Sequence, residues 1–137
     1  MRRDPLEVLA RLRGAEVMLA RRDLAEATAA REMAEARAQD AAAALVEEGR
    51  QGGPAYAAWL PRGINQRDKA TEAARQAEGR VTQAAAALAA TRAAERAVER
   101  LAEVHAAEAR REAQRAEQRM LDEAGARTAC RGGVAAS

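Results

Sequence analysis

The sequence predicts an all-α protein built as a long two-helix antiparallel coiled-coil hairpin. Alanine supplies 41 of the 137 residues and arginine 22, and both are strong helix formers. Leucine, isoleucine, valine and phenylalanine together supply only 18, too few for a β-sandwich, a doubly wound α/β fold or an aromatic-filled core. Two long stripes of mostly apolar residues recur at helical spacing, separated by a break rich in glycine and proline.

The first helix is predicted over residues 5–48. Asp4 is the expected N-cap, Pro5 takes the first helical position, and Glu7 follows as in a capping box. Gly49 is expected to end the helix. The stripe advances in steps of three or four residues, which is typical of a coiled-coil seam. It comprises Leu6, Leu9, Arg13, Val17, Ala20, Leu24, Ala27, Arg31, Ala34, Ala38, Ala41 and Leu45.

Residues 49–64 are predicted to form the loop, and they hold the only two aromatic residues, Tyr56 and Trp59, followed by Leu60. Two compatible interpretations remain open. The aromatic side chains either cap the hairpin by folding over Leu45 and Val46, or they anchor another protein, since Trp and Tyr are favoured anchors of interfaces.

The second helix is predicted over residues 65–124, with Asn65 as its N-cap and Gly125 at its end. Residues 126–137 are expected to be a flexible tail, so that 1–125 form a single domain. An alanine-rich seam buries little apolar area, and we therefore expect a flexible hairpin that a partner steadies. The second stripe comprises Ala70, Ala74, Ala77, Val81, Ala84, Leu88, Thr91, Ala94, Val98, Leu101, His105, Ala109, Ala113, Ala116, Met120 and Ala124.

Charge and residue chemistry argue against an enzyme. The 23 positive and 21 negative residues are interleaved, which is typical of a solvated helix surface and not of a nucleic-acid interface. One histidine and one cysteine cannot build a zinc site of His and Cys ligands within a single chain. The only lysine, Lys69, does not follow the glycine pattern of a phosphate-binding loop. We expect no catalytic, metal-binding or cofactor-binding residues. No secretory signal or membrane span is expected, which favours the cytoplasm.

Four polar residues have alternative interpretations. His105 falls on the second stripe, either as a tolerated polar seam residue or as a pH-responsive or ligand-binding one. The seam residues Arg13 and Arg31 extend their charged ends to water, pair with carboxylates of the facing helix, or contact a partner. Cys130 is expected to be an incidental thiol in the tail.

Two segments resemble the FliJ family of flagellar export stalk proteins. The opening from Asp4 to Ala27 is similar to the leucine-rich start of that family. The closing segment from Ala94 to Ala124 is similar to its Glu- and Arg-rich end, which here contains Glu117, Gln118, Leu121, Asp122 and Glu123. The chain departs from the family in using arginine in place of lysine and in its alanine-rich middle. The YscO-type stalk of injectisomes has the same shape.

The resemblance implies a non-enzymatic, cytoplasmic component of a type III export apparatus, peripheral to the inner membrane. In that family the terminal end of the hairpin inserts into a hexameric export ATPase, activates it and links it to the cytoplasmic domain of the export gate; export chaperones are further partners. The implied ring contacts are Leu6, Leu9, Leu12, Arg13, Arg115, Gln118, Met120 and Leu121, and the implied gate or partner contacts are Tyr56, Trp59 and Leu60.

The residues themselves raise two alternatives to a stalk function. A generic coiled-coil scaffold or spacer, as a monomer or homodimer, would use the same seams without an ATPase partner. A membrane-surface helix is disfavoured because the charge is mixed and no face is rich in Trp or Phe. Val8, Leu12 and Leu19 lie off the first stripe, so the start of the first helix carries a second apolar face. A ring lumen would cover that face.

Overall fold

The structure is a computed structural model that describes residues 2–135. Two helices account for nearly all of them: α1 spans Pro5–Gln51 with 47 residues, and α2 spans Pro54–Ala135 with 82. No strand occurs between residues 2 and 135. The prediction of an all-α helical hairpin is confirmed. The chain divides into two compact units, unit 1 over Met1–Glu95 and unit 2 over Arg96–Ser137.

The start of α1 has the capping arrangement that its sequence predicts. The Asp4 carboxylate accepts a hydrogen bond from the Leu6 backbone N–H at 3.0 Å, which satisfies one of the free amides at the helix start. Pro5 lies in the first turn, where its missing N–H costs little. Glu7 pairs with Arg11 one turn later at 2.9 Å.

The connection between the helices is shorter than expected. Instead of a loop over residues 49–64, only Gly52 and Gly53 separate α1 from α2, with φ angles of 61° and 94° that suit glycine. Pro54 opens α2 directly, because proline is well suited to the first helical position. The helix then continues through Pro61, and the expected N-cap Asn65 lies inside it.

In unit 1, α1 packs antiparallel against the part of α2 that ends at Glu95. A Cβ added at Gly14 would lie 3.9 Å from the Glu95 carboxylate, and Arg31 lies 3.6 Å from Glu78. Arg31 lies seventeen positions after Gly14, and Glu78 lies seventeen positions before Glu95. The two helices therefore run in opposite directions and keep one register between these contacts.

The core of unit 1 follows the predicted seams. All twelve stripe positions of α1 are buried or half-buried, and so are the eight stripe positions of α2 from Ala70 to Ala94. Val17, Ala20 and Leu88 form the buried cluster, with Leu24 packed against it. Few of the seam residues are larger than alanine, so the apolar area buried at each position is small.

Unit 2 consists of one stretch of α2. Most of the second stripe in this unit is exposed, contrary to the expectation that it is buried. Val98 is buried, whereas from Glu99 to Gly133 every side chain is exposed except that of Ala107, which is half-buried. Beyond Val98, unit 2 offers no second helix to cover the stripe, so the stripe faces water there. The stripe positions that were expected to be buried and are exposed are Leu101, His105, Ala109, Ala113, Ala116, Met120 and Ala124.

The end of α2 also lies further along than expected. Gly125 does not stop the helix, which continues to Ala135. One interior glycine costs about 1 kcal/mol relative to alanine, and the residues that follow include alanine and arginine, which favour a helix. The Thr128 hydroxyl donates a hydrogen bond to the Ala124 carbonyl at 2.9 Å within this segment. Of the tail predicted over 126–137, Ala136 and Ser137 lie outside the described residues.

Candidate partner-binding surfaces

The first turns of α1 carry an exposed apolar surface beside the seam, which we call the N-terminal strip. It consists of Val8, Leu12 and Leu19, whose exposed fractions are 49%, 53% and 61%. Their spacing of four and seven residues places them on one side of the helix. About half or more of each of these three aliphatic side chains faces water, so the strip is accessible to another protein.

The other ring contacts implied in unit 1 belong to the seam. Leu6, Leu9 and Arg13 are half-buried. The Arg13 guanidinium pairs with Glu16 of its own helix at 3.0 Å, and its buried Nε has no hydrogen-bond partner among residues 2–135. Arg13 therefore pairs along α1 and not with a carboxylate of the facing helix. Of the four implied contacts in unit 1, only Leu12 lies on the N-terminal strip.

The ring contacts implied in unit 2 are all exposed on α2. Met120 and Leu121 have exposed fractions of 71% and 60%. Gln118 donates a hydrogen bond to the Asp122 carboxylate at 2.9 Å, one turn further along the helix. Arg115 completes the set and is also exposed. Unit 2 thus presents two large apolar side chains and two long polar ones to solvent.

The aromatic residues at the connection pack against glycines. A Cβ added at Gly63 would lie 2.5 Å from the Trp59 ring, and one added at Gly49 would lie 3.4 Å from the Tyr56 hydroxyl. The two rings are 6.4 Å apart, and both residues are half-buried, as is Leu60. Tyr56 therefore closes the hairpin against α1, as one of the two interpretations expected.

The structure shows two contacts of the aromatic side chains that the sequence does not predict, Tyr56 with Gly49 and Trp59 with Gly63. Val46, one of the two residues expected beneath the aromatic side chains, is exposed. Gly63 was missed because it was interpreted as a loop residue. The available signal was its position four residues after Trp59, which lies on the same face of a continuous helix.

One ion pair joins α1 to α2 among residues 2–135. Arg31 lies 3.6 Å from Glu78 on α2 and 3.7 Å from Glu35 on its own helix. The expected pairing of Arg31 with a carboxylate of the facing helix is confirmed. Every other ion pair in this part of the chain joins side chains of one helix.

Chemistry-bearing side chains do not cluster in the described part of the chain. His105 and Cys130 are exposed, and within residues 2–135 no group of three or more His, Cys, Asp or Glu is arranged to hold a metal ion. Neither α1 nor α2, over the residues described, is long and apolar enough to cross a membrane.

These features define an all-α helical-hairpin protein with exposed apolar surfaces on both of its units. The family model described as flagellar FliJ protein matches residues 1–133. The chain therefore belongs to the FliJ family and is a component of flagellar protein export. Neither a curated protein nor a solved structure matches this chain.

Proposed function

We propose that this chain is a non-enzymatic stalk that inserts into the hexameric flagellar export ATPase, activates it and links it to the export gate. The observation that carries the proposal is the N-terminal strip on a member of an export family. Exposed aliphatic side chains gain free energy when a partner removes them from water. A ring lumen is a partner surface that could cover a helix from its outer side.

The proposed ring contacts combine one exposed and three half-buried residues of unit 1 with four exposed residues of unit 2. In unit 1 they are Leu12 on the strip together with Leu6, Leu9 and Arg13. In unit 2 they are Arg115, Gln118, Met120 and Leu121. The apolar side chains supply the buried area, and the two arginines supply charge-assisted hydrogen bonds to carboxylates of the ring.

Activation follows from differential binding. A stalk that contacts several subunits at once binds the closed hexamer more tightly than separate subunits. It therefore shifts the assembly equilibrium toward the ring by the difference in binding free energy. If hydrolysis requires the interface between neighbouring subunits, stabilising the ring raises the rate without any catalytic side chain on the stalk.

The proposed gate contact is the aromatic end of unit 1. Tyr56, Trp59 and Leu60 are half-buried, so each contacts the hairpin on one side and offers its remaining surface to a partner. Such rigid aromatic anchors lose little conformational entropy on binding. We further propose cytoplasmic placement, with export chaperones as additional partners and attachment to the inner membrane through the gate alone.

The test is ATP hydrolysis by the export ATPase of the same organism, titrated with this chain. We expect stimulation that saturates near one chain per six ATPase subunits. Leu12→Asp should abolish the stimulation, because a carboxylate on the strip would be buried without a partner. The matched control is Met33→Asp, since Met33 lies on the same helix with a similar exposed fraction of 58%.

The contact proposed for unit 2 is tested in the same assay with Leu121→Asp. Its control is Val104→Asp, which is exposed on the same stretch of α2 and lies outside the proposed contact set. Circular dichroism should show unchanged helix content in all four variants. Full stimulation by both Leu12→Asp and Leu121→Asp would exclude the ring contact that we propose.

The exposed stripe of unit 2 favours a second candidate function. Leu101, Met120 and the alanines between them face water in unit 2, and a second copy of this chain could cover them as a coiled-coil scaffold or spacer. Sedimentation at micromolar dilution decides this alternative. A persistent dimer without ATPase stimulation supports the scaffold, and a monomer excludes its homodimeric form.

A further inference from the structure

We propose that Pro54–Leu60, the first seven residues of α2, form a conformational switch segment. In one state α2 begins at Pro54, as in the structure. In the other the segment is unwound and α2 begins at Pro61. The contact between Trp59 and Gly63 selects the first state. This inference concerns the hairpin itself and does not depend on the proposed stalk function.

Two residues of α2 are suited to start a helix. Proline is favoured at the first position of a helix, and Pro54 and Pro61 lie seven positions apart. Inside a helix, proline has no N–H to donate, so the Ala57 carbonyl lacks its usual donor, and the pyrrolidine ring crowds that carbonyl. Leu60 precedes this proline, a position at which the helical conformation is disfavoured. The backbone therefore favours a helix boundary at Pro61.

The start of α2 at Pro54 has no side-chain cap. At the start of α1, the Asp4 side chain accepts a hydrogen bond from the Leu6 amide. The residue before Pro54 is Gly53, which has no side chain to cap the first turn. The Ala57 amide donates to the Gly53 carbonyl at 3.3 Å. The segment is thus joined to the turn by its backbone.

Side-chain contacts hold the segment in its helical state. The Trp59 ring lies so close to Gly63 that a Cβ there would be 2.5 Å from it, and Gly63 is buried. This contact crosses Pro61 and joins the segment to the rest of α2. Tyr56 makes the corresponding contact with Gly49 of α1. Loss of the Trp59 contact therefore leaves only the backbone hydrogen bonds of α2 to link the segment to the helix beyond Pro61.

Unwinding would change the end of the hairpin in two ways. The connection would lengthen from Gly52 and Gly53 to the nine residues Gly52–Leu60. Trp59 would leave Gly63 and become exposed. A ligand that binds the free indole side chain would shift the equilibrium toward the unwound state by its preference for that state.

The experiment is residue-resolved amide hydrogen exchange on the full chain. We expect the amides from Ala57 to Leu60 to share one protection factor, at least tenfold below that of the amides around Leu88, with a step at Pro61. Such a step indicates a cooperative opening. A smooth gradient that continues past Pro61 would indicate ordinary fraying of a helix end and would overturn the proposal.

A set of substitutions tests the part played by Trp59. Pro61→Ala should slow exchange of the four amides at least tenfold, because it restores the missing hydrogen bond. Trp59→Ala and Gly63→Ala should each accelerate it several-fold. The control Gly79→Ala, which has no atom within 4 Å of an added Cβ, should leave these amides unchanged.

The double variant shows whether Trp59 and Gly63 act through one shared contact or through two separate effects. Adding Gly63→Ala to Trp59→Ala should cause no further acceleration, because the same contact is already lost. Fluorescence of Trp59, the single tryptophan of the chain, should shift to longer wavelength in Gly63→Ala. Additive effects on exchange, or an unchanged emission spectrum, would overturn the role assigned to this contact.

Discussion

The Arg31 guanidinium lies 3.6 Å from the Glu78 carboxylate and joins α1 to α2 in the middle of unit 1. Its neighbours along the α1 seam are Ala27 and Ala34. A seam of repeated alanines presents nearly the same surface after a shift of one heptad, so it specifies register weakly. A pair of opposite charges matches at one register only, and polar pairs at seam positions commonly specify register in coiled coils.

We expect Glu78→Ala to lower the free energy of unfolding by about 0.2–1 kcal/mol, the range for partly exposed ion pairs. The loss should shrink as salt screens the attraction. Urea unfolding at low and high ionic strength measures it. Glu72→Ala is the matched control, because Glu72 is an exposed glutamate of the same helix. Equal losses in the two variants would contradict the assignment.

Leu88→Ala should be among the most destabilising single substitutions in unit 1. Leu88 is buried with Val17 and Ala20, and truncating a buried leucine costs about 2–5 kcal/mol. Leu19→Ala removes the same atoms from an exposed position and should change stability by less than about 0.5 kcal/mol. Chemical denaturation followed at 222 nm compares the two. A similar cost for both would show that Leu88 contributes little to the core.

Gly79→Ala should stabilise unit 1. Gly79 is an exposed residue inside α2, and a Cβ added there meets no atom within 4 Å. The expected gain is about 0.8–1 kcal/mol from helix propensity. Gly52→Ala should act in the opposite direction, because Gly52 has a φ of 61° that alanine adopts poorly. Thermal unfolding measures both, and a lower midpoint for Gly79→Ala would contradict this prediction.

Asp4→Ala should cost about 1 kcal/mol of helix stability by removing the hydrogen bond to the Leu6 amide. Asp4→Asn should retain most of that stability, because an asparagine side chain caps equally well. Thermal unfolding of unit 1 distinguishes the two variants. If Asn and Ala are equally destabilising, the charge of Asp4 matters more than its capping hydrogen bond.

The α1 half of the fold could be predicted from the sequence because its signals agree. The cap at Asp4 and the proline after it indicate where α1 begins, and the twelve stripe positions indicate the face that the structure buries or half-buries. Hydrophobic spacing is reliable when a long helix packs against a second one over much of its length. The family resemblance came from the same segment and from the end of α2.

The connection and unit 2 could not be predicted because local signals are ambiguous there. Glycine and proline between Gly49 and Gly63 were interpreted as loop residues, whereas Pro54 starts a helix and Pro61 is accommodated inside it. Apolar spacing shows that a stripe exists but not whether another helix covers it, so Leu101 and Met120 were expected to be buried. The packing of Trp59 on Gly63 depends on helical continuity across that connection.

The candidate surfaces were predictable to different degrees. Exposure of Leu12 follows from its position off the seam, and the structure places it on the N-terminal strip. Arg13 pairs with Glu16 of its own helix, a local partner three residues away that competes with any carboxylate of the facing helix. Which partner atoms meet these residues depends on the shape of another protein, which one sequence does not encode.

The uncovered stripe of unit 2 affects how the protein responds to heat. A helix without tertiary cover is held by propensity and local pairs, so it loses structure gradually from its ends as temperature rises. Unit 1, which has a buried cluster around Val17 and Leu88, should unfold over a narrower interval. Ellipticity should therefore decline along a slope before the main transition. A melting midpoint taken from the main transition alone would describe the unfolding of unit 1 and miss the gradual melting of unit 2.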